Sequence, residues 1–175
     1  MVSYFRKDMV LLRKTRQIVS AALFAALIFI STMFISIKLP NGYANLGDCF
    51  IIAATFLLGP KYAAFSAAIG TSLADVCAGY ALYAPATFVM KAIMAVCCGL
   101  ILKKNKKSFG VFLASVIAEI IMITGYFLYE TVLYGVSGAV LSVLGNTMQG
   151  LLNIFAAYIL VIILRRYLSN YEINR

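Results

Sequence analysis

Residues 85–133 read PATFVMKAIMAVCCGLILKKNKKSFGVFLASVIAEIIMITGYFLYETVL, and this stretch decides the fold. Two apolar runs, 85–102 and 109–133, flank a basic knot of Lys103, Lys104, Lys106 and Lys107. At ~1.5 Å per helical residue each run is of the length that crosses a ~30 Å hydrocarbon layer. The knot marks the turn between two spans, on the face where lysine and arginine accumulate. Pro85 stands where the first turn of a helix tolerates proline.

The same pattern continues outward. Further apolar runs cover 17–37, 46–58, 61–79 and 138–164. The run after Arg16 is too long for a signal-peptide core, and it reads as the first span rather than a cleaved segment. The run at 46–58 is short for a span and reads as tilted, re-entrant or distorted. Of the 175 residues 63% are hydrophobic and only 12% charged, whereas soluble domains are nearer half apolar and a quarter charged. A soluble chain this short could not bury so much apolar surface.

The expected fold is therefore an all-α integral membrane protein, one compact domain of six transmembrane helices over 1–175. It has a basic cytoplasmic segment at 1–16 and a cytoplasmic tail at 165–175. Arg6, Lys7, Arg13, Lys14, Arg16, Lys61, the four lysines of the knot, Arg165, Arg166 and Arg175 fall on one side of a six-span chain. Those are 13 of the 15 basic residues, which places both termini in the cytoplasm and the protein in the plasma membrane. The net charge of +9 reflects orientation, not nucleic-acid binding.

Polar groups at membrane depth are costly and usually face a cavity or a partner. Asp48, Asp75, Lys91, Glu130, Asn146 and Gln149 fall within about 16 Å of the outer helix ends, and Glu119 lies deeper, about 20 Å in. Glu119, Tyr126 and Glu130 share one stripe, Asn146, Gln149 and Asn153 another, and Thr87 and Lys91 lie four apart. Outer loops add Asn41, Tyr43, Asn45, Tyr80, Tyr83 and Tyr134, which could lid a cup and stack on a flat ligand. The blander assignment makes these residues helix-bridging hydrogen bonds, with Lys91 paired to Asp75 or Glu130, and an interfacial tyrosine belt. Their concentration in one half favours a cup open to the outside. No polar path reaches the inner half, which opposes a channel.

Ala21/Ala25 and Ala22/Ala26 on the first span, and Ala63/Ala67 and Ala64/Ala68 on the third, are small-xxx-small pairs that admit a close helix neighbour. The four cysteines, Cys49, Cys77, Cys97 and Cys98, have no CxxC spacing, and the chain has no histidine. They read as packed apolar residues, with no metal and no cofactor. There is no GxxxxGK[ST], GxSxG or HExxH, so neither an ATPase nor an enzyme is expected.

Five stretches carry a family resemblance: Leu46-Gly47-Asp48; Leu58-Gly59-Pro60-Lys61-Tyr62; Ala74-Asp75 through Gly79-Tyr80 to Tyr83-Ala84-Pro85-Ala86-Thr87-Phe88 and Lys91; Gly125-Tyr126-Phe127-Leu128-Tyr129-Glu130; and Gly145-Asn146-Thr147-Met148-Gln149-Gly150. In this order the chain resembles the S components, the substrate-binding subunits, of energy-coupling factor (ECF) vitamin transporters. It looks most like the riboflavin-type branch, which includes carriers of pyridoxine and hydroxymethylpyrimidine. The resemblance implies a subunit working with a membrane T component and two cytoplasmic ATPases. It implies a substrate site near the outer surface, beneath the loop joining the first two helices and lined by helices four to six. It implies docking of the T component on Ala21, Ala22, Ala25 and Ala26, and toppling of the whole subunit in the membrane. The expected binding residues are Asn41, Tyr43, Asn45, Asp48, Asp75, Tyr80, Tyr83, Thr87, Lys91, Tyr126, Glu130, Asn146 and Gln149. Lys91, Glu130, Asn146 and Gln149 would offer a cation, an anion and two amides to a small heteroaromatic ring. The rival functions are a membrane scaffold or assembly factor, and a stand-alone carrier moving protons through Glu119.

Overall fold

The computed structural model describes residues 2–39 and 42–173, with side chains at 12, 14–37 and 43–170. Helix α1 (Val2–Phe34) runs into a short antiparallel hairpin of β1 (Ser36–Leu39) and β2 (Gly42–Asn45). Helices α2 (Gly47–Leu58), α3 (Pro60–Cys77), α4 (Ala84–Lys104) and α5 (Ser108–Ile173) follow. The fold is all-helical, as expected, apart from this hairpin. The first helix stops at Phe34; of the residues 35–37 expected at its end, Ile35 forms a bend and Ser36 and Ile37 begin the first strand. Ser36 pairs with Asn45 and Leu39 with Gly42.

Helix α5 is broken at Gly135, whose φ of 74° and ψ of 171° are open to glycine and strained for other residues. Its two arms, 108–134 and 136–173, meet at a kink instead of a loop. Helices Lys14–Phe34, Ala84–Lys104 and Ser108–Asn170 are long and apolar enough to cross a membrane.

Helix α2 packs against α1, α3, α4 and α5, and nine of its twelve residues are buried. Its shortness has a physical reason. A helix whose flanks are sheathed by other helices meets mostly protein and not lipid, so it need not match the hydrocarbon thickness. Gly59, at φ 80°, closes α2 by donating its N–H to the Thr55 carbonyl (3.1 Å) and opens α3 at Pro60.

The burial pattern is that of a bilayer protein. Large apolar side chains such as Leu23, Leu144 and Phe155 point outward, while Asp48, Lys91, Glu119, Gln149 and Asn153 are buried. Below them a dry core of Ile52, Phe56, Met94, Cys98, Leu102, Val111 and Val161 fills the other end of the bundle. Cys49 and Cys98 are packed there, but Cys77 is exposed and Cys97 half-buried. The packed reading thus fails for Cys77 and holds only in part for Cys97.

Candidate ligand-binding site

A cavity with about 550 Å³ of empty space, partly open to solvent, lies at the hairpin end of the bundle. Its walls come from α1, β2, α3, the α3–α4 turn, α4 and both arms of α5. Tyr43, Asn45, Asp75, Tyr80, Tyr83, Thr87, Lys91, Tyr126, Glu130, Asn146 and Gln149 all face it. Asn41 lies outside the described residues. Asp48 is fully buried behind the wall and does not line the cavity.

The hairpin is fastened by side chains from two helices. Tyr43 donates its hydroxyl to Asp75 Oδ1 at 2.6 Å. Burial, then the Asp75 charge, push the Tyr43 phenol well above its ordinary value, so it stays a donor. The Asn45 backbone N–H donates to Gln149 Oε1 (3.1 Å), and Asn153 Nδ2 donates to the Asn45 carbonyl (2.8 Å). Asn153 Oδ1 also accepts the Cys49 N–H at 2.9 Å, near the start of α2.

Beneath the cavity lies a buried ion pair. Lys91 Nζ stands 2.5 Å from Asp48 Oδ1, and Gln149 Nε2 donates to Asp48 Oδ2 at 2.8 Å. The partners expected for Lys91, Asp75 and Glu130, are both otherwise engaged. The reason is the neighbour: α2 packs on α4 and brings Asp48 under Lys91, a relation across 43 residues that helical spacing cannot reveal. The lysine is therefore not a free cation offered to a ligand. Its Nζ also lies 5.7 Å from the centre of the Tyr126 ring, and Tyr126 shares a hydrogen bond with Thr87 (3.0 Å).

Glu130 bridges the two arms of α5. Tyr83 donates to its Oε1 at 3.2 Å and Ser142 to its Oε2. Ser142 sits beyond the Gly135 break, so this carboxylate helps hold the kink shut. Tyr134 lies on the outer rim, its hydroxyl 3.5 Å from that of Tyr83. Aromatic rings form a chain along one wall, Tyr43 to Tyr80 at 5.1 Å, Tyr80 to Tyr83 at 6.3 Å and Tyr83 to Tyr126 at 6.4 Å between centroids.

Three further wall residues, Thr32, Thr71 and Ser142, escape a reading of the sequence. Small hydroxyl residues carry no signal in an apolar run, because they can satisfy themselves on their own helix, as Thr71 does on the Ala67 carbonyl (2.6 Å). Glu119 shares the stripe of Tyr126 and Glu130 but lies below the cavity, packed against Gly150. Both of its carboxyl oxygens are buried with no partner among the described residues.

A family model described as "ECF-type riboflavin transporter, S component" matches residues 12–166. The chain belongs to that family. The S-component resemblance carried by the five sequence motifs is thereby shown, and the family is one of membrane transport subunits for vitamins, not of enzymes. A protein of Pyrococcus woesei described as "Uncharacterized protein in gap 3'region" is 34% identical over 122 residues, covering 69% of this chain and 82% of its own.

In this S component the four alanines of α1 divide into two faces. Ala21 and Ala25 are half-buried and turn toward α3, where Ser66 Oγ donates to the Ala21 carbonyl at 2.7 Å. Ala22 and Ala26 are exposed on the outside of the bundle.

Proposed function

We propose that this S component captures a small vitamin-like heteroaromatic compound at the outer membrane face and delivers it through an ATP-driven complex. The complex would contain a membrane T component and two cytoplasmic ATPases. The carrying observation is a cavity lidded by the hairpin and closed below by the apolar core around Met94, Cys98 and Phe56. A cup with a dry floor suits capture, and its contents need a partner to bring them across.

The six helical segments, with both termini in the cytoplasm, fit this role. The basic turns gather at the end away from the hairpin. Arg165 Nη2 donates to the Lys106 carbonyl (2.7 Å) and Arg165 Nη1 to Ser108 Oγ (3.3 Å), so the basic α4–α5 turn and the last helix meet there. That clustering supports a positive cytoplasmic face in the plasma membrane. Ala22 and Ala26 supply the small-residue face for the T component.

The decisive experiment is purification from the native membrane in mild detergent. Native mass spectrometry should find a bound small molecule, and pull-down should recover a T component and ATPases. Loss of ligand and partners together, in a folded sample, would overturn the reading in favour of a scaffold. Unpartnered Glu119 favours a proton-coupled carrier as the second reading, and uptake into vesicles lacking any ATPase would select it.

A further inference from the structure

We propose that the ligand carries a positive or amino nitrogen on a flat ring and docks that nitrogen at the Asp75 carboxylate beside the tyrosine wall. The inference rests on the capture reading above and adds the ligand's charge.

The first argument is an inventory of charges. Among the described residues Lys91 is the one cation lining the cavity, and Asp48 already holds it. Two other carboxyls face the cavity, Asp75 and Glu130. Both Glu130 oxygens have hydroxyl donors, from Tyr83 and Ser142. Asp75 accepts the Tyr43 hydroxyl on Oδ1 and has the Thr87 hydroxyl, itself paired with Tyr126, close by, while its Oδ2 is buried without a hydrogen bond of ordinary geometry among the described residues. The donors left on the wall are neutral hydroxyls and an amide, at Thr32, at the Thr87–Tyr126 pair and at Asn146. A carboxylate oxygen shut away from water and left without a donor is costly. A cationic donor arriving with the ligand satisfies that oxygen and offsets the excess negative charge in one contact. An anionic ligand would meet two carboxyls with the lysine already taken.

The second argument is independent of charge counting. The rings of Tyr43, Tyr80, Tyr83 and Tyr126 line the same cavity in an unbroken chain of contacts. Aromatic faces attract cations within about 6 Å of the ring centre and stack on flat heterocycles. Tyr43 joins the two features, since its ring belongs to the wall and its hydroxyl orients Asp75.

Two matched series test the proposal on the purified full-length protein: benzylammonium, benzyl alcohol and benzoate; and pyridoxamine, pyridoxine and 4-pyridoxate. Each series keeps its ring and changes one substituent from ammonium to hydroxyl to carboxylate. Affinities are read by thermal shift and by competition in native mass spectrometry. The ammonium member should bind at least about tenfold tighter than the alcohol in each series, the size of one charge-assisted hydrogen bond. The carboxylate should not bind. Asp75→Asn should bring ammonium and alcohol within about threefold of each other, because the neutral amide keeps the shape without the charge. The wild-type order alone decides the matter if Asp75→Asn does not fold. An alcohol equal to or tighter than its ammonium partner, or no binding by either ammonium compound at millimolar concentration, overturns the proposal. Pull-down of the T component and ATPases is scored in parallel. Partners retained with a neutral preference sink only this inference, and a cation preference without partners sinks only the importer reading.

Discussion

Removing the Lys91 ammonium should damage the protein far more than removing the Asp48 charge, because the two charges have different substitutes. Both side chains of the pair are essentially buried, at 3% and 0% exposure. Stripping one partner from such a pair leaves an uncompensated buried charge, at a cost of about 3–5 kcal/mol. Lys91→Met leaves Asp48 with only the Gln149 amide, and leaves Glu119 within electrostatic reach of Asp48 with no cation beside either. The full cost is then expected. Asp48→Asn differs, because Lys91 retains a carboxyl within reach whose two oxygens have no other partner, that of Glu119. Its cost should be nearer the ~1.5–3 kcal/mol of a lost charged hydrogen bond. Glu119→Gln alone should be almost silent, yet it should remove the substitute when added to Asp48→Asn. The double-mutant cycle between positions 48 and 119 should therefore show a coupling of roughly 1–3 kcal/mol. Unfolding in mixed micelles by titration with a denaturing detergent gives these free energies. Thermal melts should follow, at roughly 2–4 °C per kcal/mol for a chain of this size. Additive effects of Asp48→Asn and Glu119→Gln, within about 0.5 kcal/mol, would refute the idea that Glu119 stands in reserve for Lys91.

Three shorter predictions concern the walls of the site. A methyl group at Gly47 would overlap Thr32 Oγ1 and stand 2.9 Å from Asn45 Oδ1, so Gly47→Ala should cost about 1–3 kcal/mol by overpacking. Adding Thr32→Ala should recover part of that in a thermal melt. Ala22→Trp and Ala26→Trp should leave folding and ligand binding intact and abolish T-component pull-down. Ala25→Trp should instead lower the melting temperature, because that residue packs on α3 where its carbonyl crowds Gly70; a T component captured equally well by both exposed variants would place the interface elsewhere. Tyr43→Phe removes the bond to Asp75 and should speed ligand release by about 3–10-fold in a dissociation assay, the effect of one net hydrogen bond of ~1 kcal/mol.

The helices were legible because a bilayer imposes a long apolar run bounded by basic residues, as around Lys103–Lys107. The hairpin was not. The four-residue strands SIKL and GYAN are too short to show an alternation, and Ile35 and Ile37 extend the apolar run of α1 without a break. Stripe reasoning brought Asn146, Gln149 and Asn153 onto one face, but the partner of each depends on which helix packs there. Hence Asn153 could be named without its role as the tie to Asn45 and Cys49. The same limit applied to Lys91, whose depth was readable and whose partner was not. It applied again to the alanines of α1, where spacing gives two adjacent stripes and only the position of α3 tells which is free.

The hairpin and the ion pair belong to one chain of bonds, and this shapes how the cup can open. Gln149 accepts the Asn45 N–H through Oε1 and donates through Nε2 to Asp48, which holds Lys91. Asp75 accepts Tyr43 on one oxygen and lines the cavity. The hairpin thus rests on side chains that also border the ligand space. Lifting it breaks the Tyr43, Asn45 and Asn153 bonds, each worth about 0.5–1.5 kcal/mol net, for a total of roughly 2–4 kcal/mol. An empty cup would then be open on the order of once in a hundred molecules, enough to admit a ligand from outside. A ligand that bonds the Asp75 carboxylate and stacks on the Tyr43 ring adds contacts available only when the hairpin is down. Occupancy then shifts the balance toward the closed lid by as much as those contacts differ between the two states. The proposed importer would need that property to pass on its cargo in a closed cup, and here it follows from two side chains, Gln149 and Asp75, each bonded to the lid and lining the site at once.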